Sequence, residues 1–285
     1  MRRELLIHRT WRRLQERSWY STLFLATGVL LAGVVPAIHA VPSGGYARPE
    51  VLIQPEELNA LIEAKVSNVR IIDMRDNVQY LLGHVPGAVQ VWRPDIEDKN
   101  HPLPGMMASE ARIEELLGNM GVSDSDTLII YTSSDGPDNG RLWWILAYYG
   151  FPLRQIKLLD GGIDAWKVKG YPTEIMAARI EKTRFEFTGK GKARQLLLCT
   201  LPEVKSALKA SDKVVLDVRS KKELTGEEVK KGASKGGRIP GVTWIEWNEV
   251  LVEEDPFKGY WKPAEKIQKI FSAKGVTPDK DIYMY

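Results

Sequence analysis

The chain has one cysteine, Cys199, in 285 residues. A single thiol closes no internal disulfide, so the redox compartment cannot be read from it. Histidine is nearly as scarce: His8, His39, His84 and His101 never pair at metal-ligand spacing, and no Cys cluster completes a zinc set. Neither a metal site nor a cofactor is expected. No sign of charge dominates either, with 40 Lys and Arg against 37 Asp and Glu. The net +3 is local, because Arg2, Arg3, Arg9, Arg12, Arg13 and Arg17 against Glu4 and Glu16 place +4 on the first forty residues and leave 3 − 4 = −1 on the rest. A nucleic-acid partner needs a basic body, and is not expected. What remains, 44% hydrophobic and 27% charged residues, is the composition of a globular protein long enough for two domains.

The stretch from Trp19 to His39 has no Lys, Arg, Asp or Glu and follows the arginine-rich start. Residues 1–40 read as a signal peptide with Ala40 at the cleavage point, and the competing reading is an uncleaved anchor of about 20 apolar residues. Both keep the basic end in the cytoplasm and export the rest, to the periplasm or another extracytoplasmic space. Membrane association is expected only if residues 19–39 stay as an anchor. Residues 41–50 read as a linker.

From Val51 the chain alternates strands and helices. Gln54-Pro55-Glu56-Glu57 opens a helix, Val69–Asp73 is a strand, and Gly83-His84-Val85-Pro86-Gly87-Ala88 is a turn re-entering a strand at Val89–Trp92. Met106–Met120 has helical spacing, Thr127–Tyr131 is a continuous buried strand, and a helix begins at Arg141. Gln155–Leu159 is a further strand, followed by Asp160-Gly161-Gly162 and a helix over Ile163–Lys169. Such alternation predicts an α/β fold with a doubly wound parallel sheet and helices on both faces. Loops at the carboxyl ends of such strands carry chemistry, which singles out Thr132, Ser133, Ser134, Asp135 and Gly136.

After a charged connection at 178–194 the sequence starts again. KVVLDVRSKKEL at 213–224 echoes VRIIDMRDNVQY, Gly237-Arg238-Ile239-Pro240-Gly241-Val242 echoes the 83–88 turn, and GVTPDKDIYMY echoes GVSDSDTLIIY. Asp217 and Arg219 lie 144 positions after Asp73 and Arg75, while Pro240 and Gly275 lie 154 after Pro86 and Gly121. One ten-residue insertion within Gly226–Gly236 accounts for the difference. Tandem duplication is the reading that follows.

Asp-x-Arg after a strand, Gly-His/Arg-x-Pro-Gly, and Leu159-Asp160-Gly161-Gly162 with Trp166 and Gly170-Tyr171-Pro172, in order and largely twice, resemble the rhodanese family, specifically its two-domain sulfurtransferases. The resemblance covers nearly all of 51–285. It implies two tandem rhodanese-like domains: residues 51–177, a copy without the thiol, and 195–285, the copy that holds the catalytic cysteine in the loop after a strand. Counting 154 from Thr132 places that cysteine immediately after Tyr285, so the second domain is expected to be incomplete and the chain as given inactive. By resemblance, the protein is an exported sulfurtransferase that passes sulfane sulfur from thiosulfate or a mercaptopyruvate-like donor to a thiol or cyanide-like acceptor through a cysteine persulfide. The donor is a small anion. A catalytically silent binding or scaffold protein is the alternative, and the phosphatase use of the fold ranks last, because Arg141 lies nine positions after Thr132 and no thiol is present.

Asp217, Arg219 and Arg238 are the candidate substrate-side or loop-supporting residues. Carboxylate–guanidinium pairs at Asp73–Arg75 and Asp217–Arg219 suit the pinning of a strand end to its loop. Glu223 stands where some relatives carry a basic substrate-binding residue, which puts thiosulfate preference in question. Lys230–Arg238 reads either as the rim of an anion entrance or as a solvated loop. Trp143-Trp144 and Tyr148-Tyr149 are expected in the core and the domain interface. Cys199, before the capping-box pattern Thr200-x-x-Glu203, is expected to be buried and inert.

Overall fold

A computed structural model describes residues 8–9, 45–189 and 197–285. The leader or anchor reading falls on residues outside these, apart from His8 and Arg9, as does part of the 178–194 connection. Among the described residues no helix is long and apolar enough to cross a membrane.

The first half contains β2 (Leu52–Ile53), α1 (Pro55–Glu63), β3 (Val69–Asp73), α2 (Asn77–Leu81), β4 (Val89–Gln90), α3 (Glu110–Asn119), β5 (Thr127–Tyr131), α4 (Asp138–Tyr149), β6 (Ile156–Leu159) and α5 (Gly162–Val168). Its sheet runs β2-β6-β5-β3-β4 with every pairing parallel. Side chains alternate across the strands, so each strand feeds two cores. Ile72, Leu128 and Ile130 meet α3 and α4 through Ile113, Leu117, Ile145 and Leu146. Ile71, Ile129 and Tyr131 meet α1 and α5 through Leu58, Ile163 and Trp166 on the opposite face. This is the doubly wound α/β arrangement.

The second half contains α6 (Leu201–Ala207), β7 (Lys213–Asp217), α7 (Lys221–Thr225), β8 (Thr243–Trp244), α8 (Ala264–Ala273) and β9 (Asp281–Met284). Strands β9-β7-β8 are parallel and stand in the order of β5-β3-β4. On the side of β9 where the first sheet has β6, β1 (His8–Arg9) pairs antiparallel. The repeat extends to single hydrogen bonds. Asp98 N–H donates to Met106 O at 2.8 Å and Val252 N–H to Tyr260 O at 2.7 Å. Ala108 N–H donates to Ile96 O and Lys262 N–H to Val250 O, both at 2.9 Å. Each half therefore carries the same looped strap, 97–107 and 251–261, closed by the bridges Glu97–Met107 and Leu251–Trp261.

Several boundaries differ from the expectations. The helix expected over Met106–Met120 begins only at Glu110, because Ser109 caps it and Met106–Ala108 are drawn into the closing pairs of the strap. The strand expected over Val89–Trp92 ends at Gln90, the helix expected from Arg141 starts at Asp138, and the last strand and helix shift by one residue. The connection at 178–194 is more than a tether. Its Phe185 and Phe187 are buried in the first-half core, Thr183 N–H donates to Gly118 O at 2.9 Å, and Phe187 N–H donates to the Glu114 carboxylate at 2.9 Å. Gly118 permits this, since a Cβ there would stand 2.7 Å from Thr183 O.

Phe187→Ala is accordingly expected to destabilise the first half by about 3 kcal/mol in denaturant titration. Arg184→Ala, at a solvent-exposed side chain of the same segment, should change it by less than about 0.5 kcal/mol. Equal effects would show that the segment is not docked.

Candidate functional site

The carboxyl ends of β3 and β5 are tied by one buried cluster. Arg75 Nε donates to Asp73 Oδ1 at 2.9 Å, its Nη2 to Asp73 Oδ2 at 2.6 Å, and the same Nη2 to Gly83 O at 2.9 Å. The Tyr131 hydroxyl donates to Asp73 Oδ2 at 2.7 Å and accepts from Val85 N–H at 3.0 Å. Burial opposes the Arg75 charge, but Asp73 more than offsets it and the guanidinium is raised above its ordinary value. Burial, and then the Asp73 charge, pushes the Tyr131 phenol well up, so it stays a donor.

The second half repeats the cluster. Arg219 Nε donates to Asp217 Oδ1 at 2.9 Å and Nη2 to Asp217 Oδ2 at 2.6 Å and to Gly237 O at 3.0 Å. Tyr285 accepts from Ile239 N–H at 3.3 Å, and burial, with Asp217 beside it, pushes its phenol up to about 12. The Asp217 hydrogen bond raises Arg219 further from deprotonation. The difference is exposure: the Arg75 side chain is 5% accessible and that of Arg219 is 29%. Arg219 therefore presents a permanent cation at the strand end. Glu223 lies 4.0 Å from it and Ser220 caps α7 above, so an acid stands close to that cation. Arg238 is exposed, whereas its counterpart His84 is buried. Lys230–Gly236 are exposed too, and Lys230 pairs with Glu228.

In the first half the loop after β5 is closed to anions. Thr132 is buried, its carbonyl accepts from Ile163 N–H at 3.0 Å, and a Cβ at Gly162 would stand 2.2 Å from that oxygen. Ser134 N–H, a donor that could meet an anion, instead donates to the Asp164 carboxylate at 2.7 Å. Gly136 N–H is turned back onto Ser133 O. The second half then covers the loop, with Gly259 so close that a Cβ would lie 2.3 Å from Ser134 Cβ. An open cleft of about 440 Å³ remains, lined by Ser133, Ser134, Asp135 and Asp164 from one side and Asp255, Pro256 and Lys258 from the other. Three aspartates against one lysine do not suit an anionic donor.

Arg141 makes no cradle with this loop. It turns away to Gly105 O and lies over the Trp144 ring, and burial, reinforced by Arg93, lowers it to about 10. Trp144, Tyr148 and Tyr149 are buried in the first core and Trp143 packs against it. Cys199 is buried in a cluster with Val204, Ala207, Val215 and Tyr283, against which Tyr285 also packs. Among the described residues no group of His, Cys, Asp and Glu is placed to hold a metal.

Sequence reasoning passed over one set of residues that joins the halves. The buried Asp160 accepts from Gln54 Nε2 and from Trp261 N–H, both at 2.9 Å. The Tyr46 hydroxyl donates to Lys262 O at 2.8 Å, and a Cβ at Gly161 would meet the Tyr260 ring at 2.8 Å. The signal available was the break in the repeat, where Gly259-Tyr260-Trp261 stands opposite Gly105-Met106-Met107. Burial raises the Asp160 carboxyl above 3.8, its hydrogen bonds notwithstanding.

The rhodanese-like domain family matches residues 54–169. The chain is 26% identical over 249 residues to the sulfur carrier protein TtuD of Thermus thermophilus, spanning 85% of this chain and 84% of that protein. It is 28% identical over 240 residues to the thiosulfate sulfurtransferase of Azotobacter vinelandii (83% and 82%), and 25% identical over 224 residues to the 3-mercaptopyruvate sulfurtransferase of Escherichia coli (78% and 75%). Among solved structures, a 3-mercaptopyruvate sulfotransferase of Escherichia coli superposes with a TM-score of 0.67 at 24% identity, over 81% of this chain and 86% of that one, and so shares the fold.

Two outcomes follow. Because ionised Asp160 is disfavoured in the fold, its contribution is present below the ordinary carboxyl value and lost as the pH rises through the raised one. Asp160→Asn, which cannot ionise and with Gln54 flipped keeps both hydrogen bonds, should therefore melt above wild type at pH 8, with the gap narrowing as the pH falls toward 3.8. A gap that does not change with pH would contradict this. Tyr131→Phe should cost about 1–3 kcal/mol, because Val85 N–H and Asp73 are left short of a buried partner, and Tyr285→Phe should cost less.

Proposed function

This chain belongs to the rhodanese family, and from that premise we propose that it is a sulfurtransferase whose reacting thiol stands immediately after Tyr285. The observation that carries the reading is the duplicated strand end. Val218 N–H donates to Tyr285 O at 2.9 Å as Met74 N–H donates to Tyr131 O at 2.8 Å, and Ile245 N–H donates to Asp217 O at 3.1 Å as Val91 N–H donates to Asp73 O at 2.9 Å. The residue after Tyr285 then takes the place of Thr132, at the mouth of the parallel sheet and beside the partly exposed Arg219. A nearby cation lowers a thiol's pKa, and the thiolate attacks the donor's sulfane sulfur, forming the persulfide S–S bond as the bond to the leaving anion, sulfite in the case of thiosulfate, breaks.

The donor is a small anion such as thiosulfate or a mercaptopyruvate-like acid, and the acceptor a thiol or cyanide. The relatives named for thiosulfate and 3-mercaptopyruvate transfer support this class. Glu223, 4.0 Å from Arg219, weighs against a strongly dianionic donor. The two halves act as tandem domains of which only the second reacts. The protein works outside the cytoplasm, which the arginine-flanked uncharged run 19–39 supports. A silent binding role is the second reading, and the absence of any exposed thiol from residues 1–285 favours it for that piece alone.

Residues 1–285 incubated with thiosulfate and cyanide should release no thiocyanate. A chain continuing naturally past Tyr285 should release it, and its Cys199→Ser variant should retain most of the activity. Turnover by residues 1–285, or its loss in Cys199→Ser with normal folding, would remove the assignment.

A further inference from the structure

Asp160 is 5% exposed. A carboxylate taken out of water is costly unless its acceptors are well used, so what it binds explains its presence. It binds both halves. Oδ2 takes Gln54 Nε2 at the start of α1, and Oδ1 takes the backbone N–H of Trp261, 101 residues away. Trp261 is the closing residue of the second half's strap. Around that bond the backbones approach as closely as glycine allows: Gly161 lies against the Tyr260 ring, Gly259 against Ser134, and the Tyr46 hydroxyl holds Lys262 O from the other side.

We propose that Asp160 is a positioning residue, the latch that seats the 251–261 strap in the thiol-free loop of the first half and so fixes one half against the other. The first copy has exchanged an anion site for a socket. Its loop N–H at Ser134 serves Asp164, and its mouth receives Gly259. The complementary strap, 97–107, belongs to the first half, with Gly105 at φ +80° where Gly259 is at +84°. Its Pro104 lies 2.9 Å from the position a Cβ on Gly232 of the second half would take. Each half thus lays its strap against the other, and the latch stands on these contacts alone, without the transfer site proposed above.

Amide hydrogen exchange on the 285-residue chain separates the two, since it needs no sulfur transfer. The Trp261 amide should be protected in wild type and in Asp160→Asn, and should exchange about tenfold faster or more in Asp160→Ala, while Ile71 and Ile129 in the first sheet keep their protection. Unchanged protection of Trp261 in Asp160→Ala, or equal loss in the Ala and Asn variants, would overturn the latch. If Asp160→Ala loses the sheet as well, Gly259→Ala decides: it lifts the strap by contact with Ser134 and leaves Asp160 intact. Trp261 should then exchange faster, and full protection would count against the proposal.

Discussion

The bond on which both halves depend is the carboxylate–guanidinium grip at the carboxyl ends of β3 and β7. In a parallel sheet the strand ends open toward loops, and nothing in the sheet ladder holds those loops. Asp73 and Arg75, and again Asp217 and Arg219, supply what the ladder does not: two charge-assisted bonds within the strand end and a third to the carbonyl of a turn glycine, Gly83 or Gly237. A tyrosine from the neighbouring strand closes each cluster. The geometry is the same twice, and the surroundings decide its use. Buried beside Thr132 it is a structural knot, whereas beside Tyr285 its guanidinium is partly open to solvent.

The recurring arrangement of strands and straps lets one fold provide both surroundings. In the first half the loop turns its Ser134 donor to Asp164 and its Gly136 donor to Ser133 O, and its mouth meets Gly259. A loop that binds its own acid and a glycine from its twin no longer receives an anion. It does receive a domain. The cleft left beside it is polar and acid-rich, which agrees with a seam between halves rather than a place for a sulfur donor.

Much of this was legible in the residues, and what was not has physical reasons. Thr127–Tyr131 could be read to its ends because a strand buried on both faces is a continuous apolar run. The helix at 110–119 could not, since Met106-Met107 continue its apolar spacing while tertiary pairing with Glu97 and Asp98 draws them into a strap. Phe185 and Phe187 were hidden among charges, although Phe-Glu-Phe alternates with the period of an extended chain that buries one face. The Asp160–Trp261 bond was out of reach, because a backbone N–H carries no residue signature and the contact spans 101 positions. The thiol-free character of the first loop was plain from Thr132. That Asp164 fills the vacated donor was not.

The central claim is where the sulfur goes. Peptide mapping by mass after thiosulfate treatment of the chain continuing past Tyr285 tests it most directly. The account predicts the mass of one added sulfur atom on the peptide that contains the residue after Tyr285, removable by cyanide, and none on the peptide with Cys199. Sulfur found on Cys199, or on neither peptide, would contradict it.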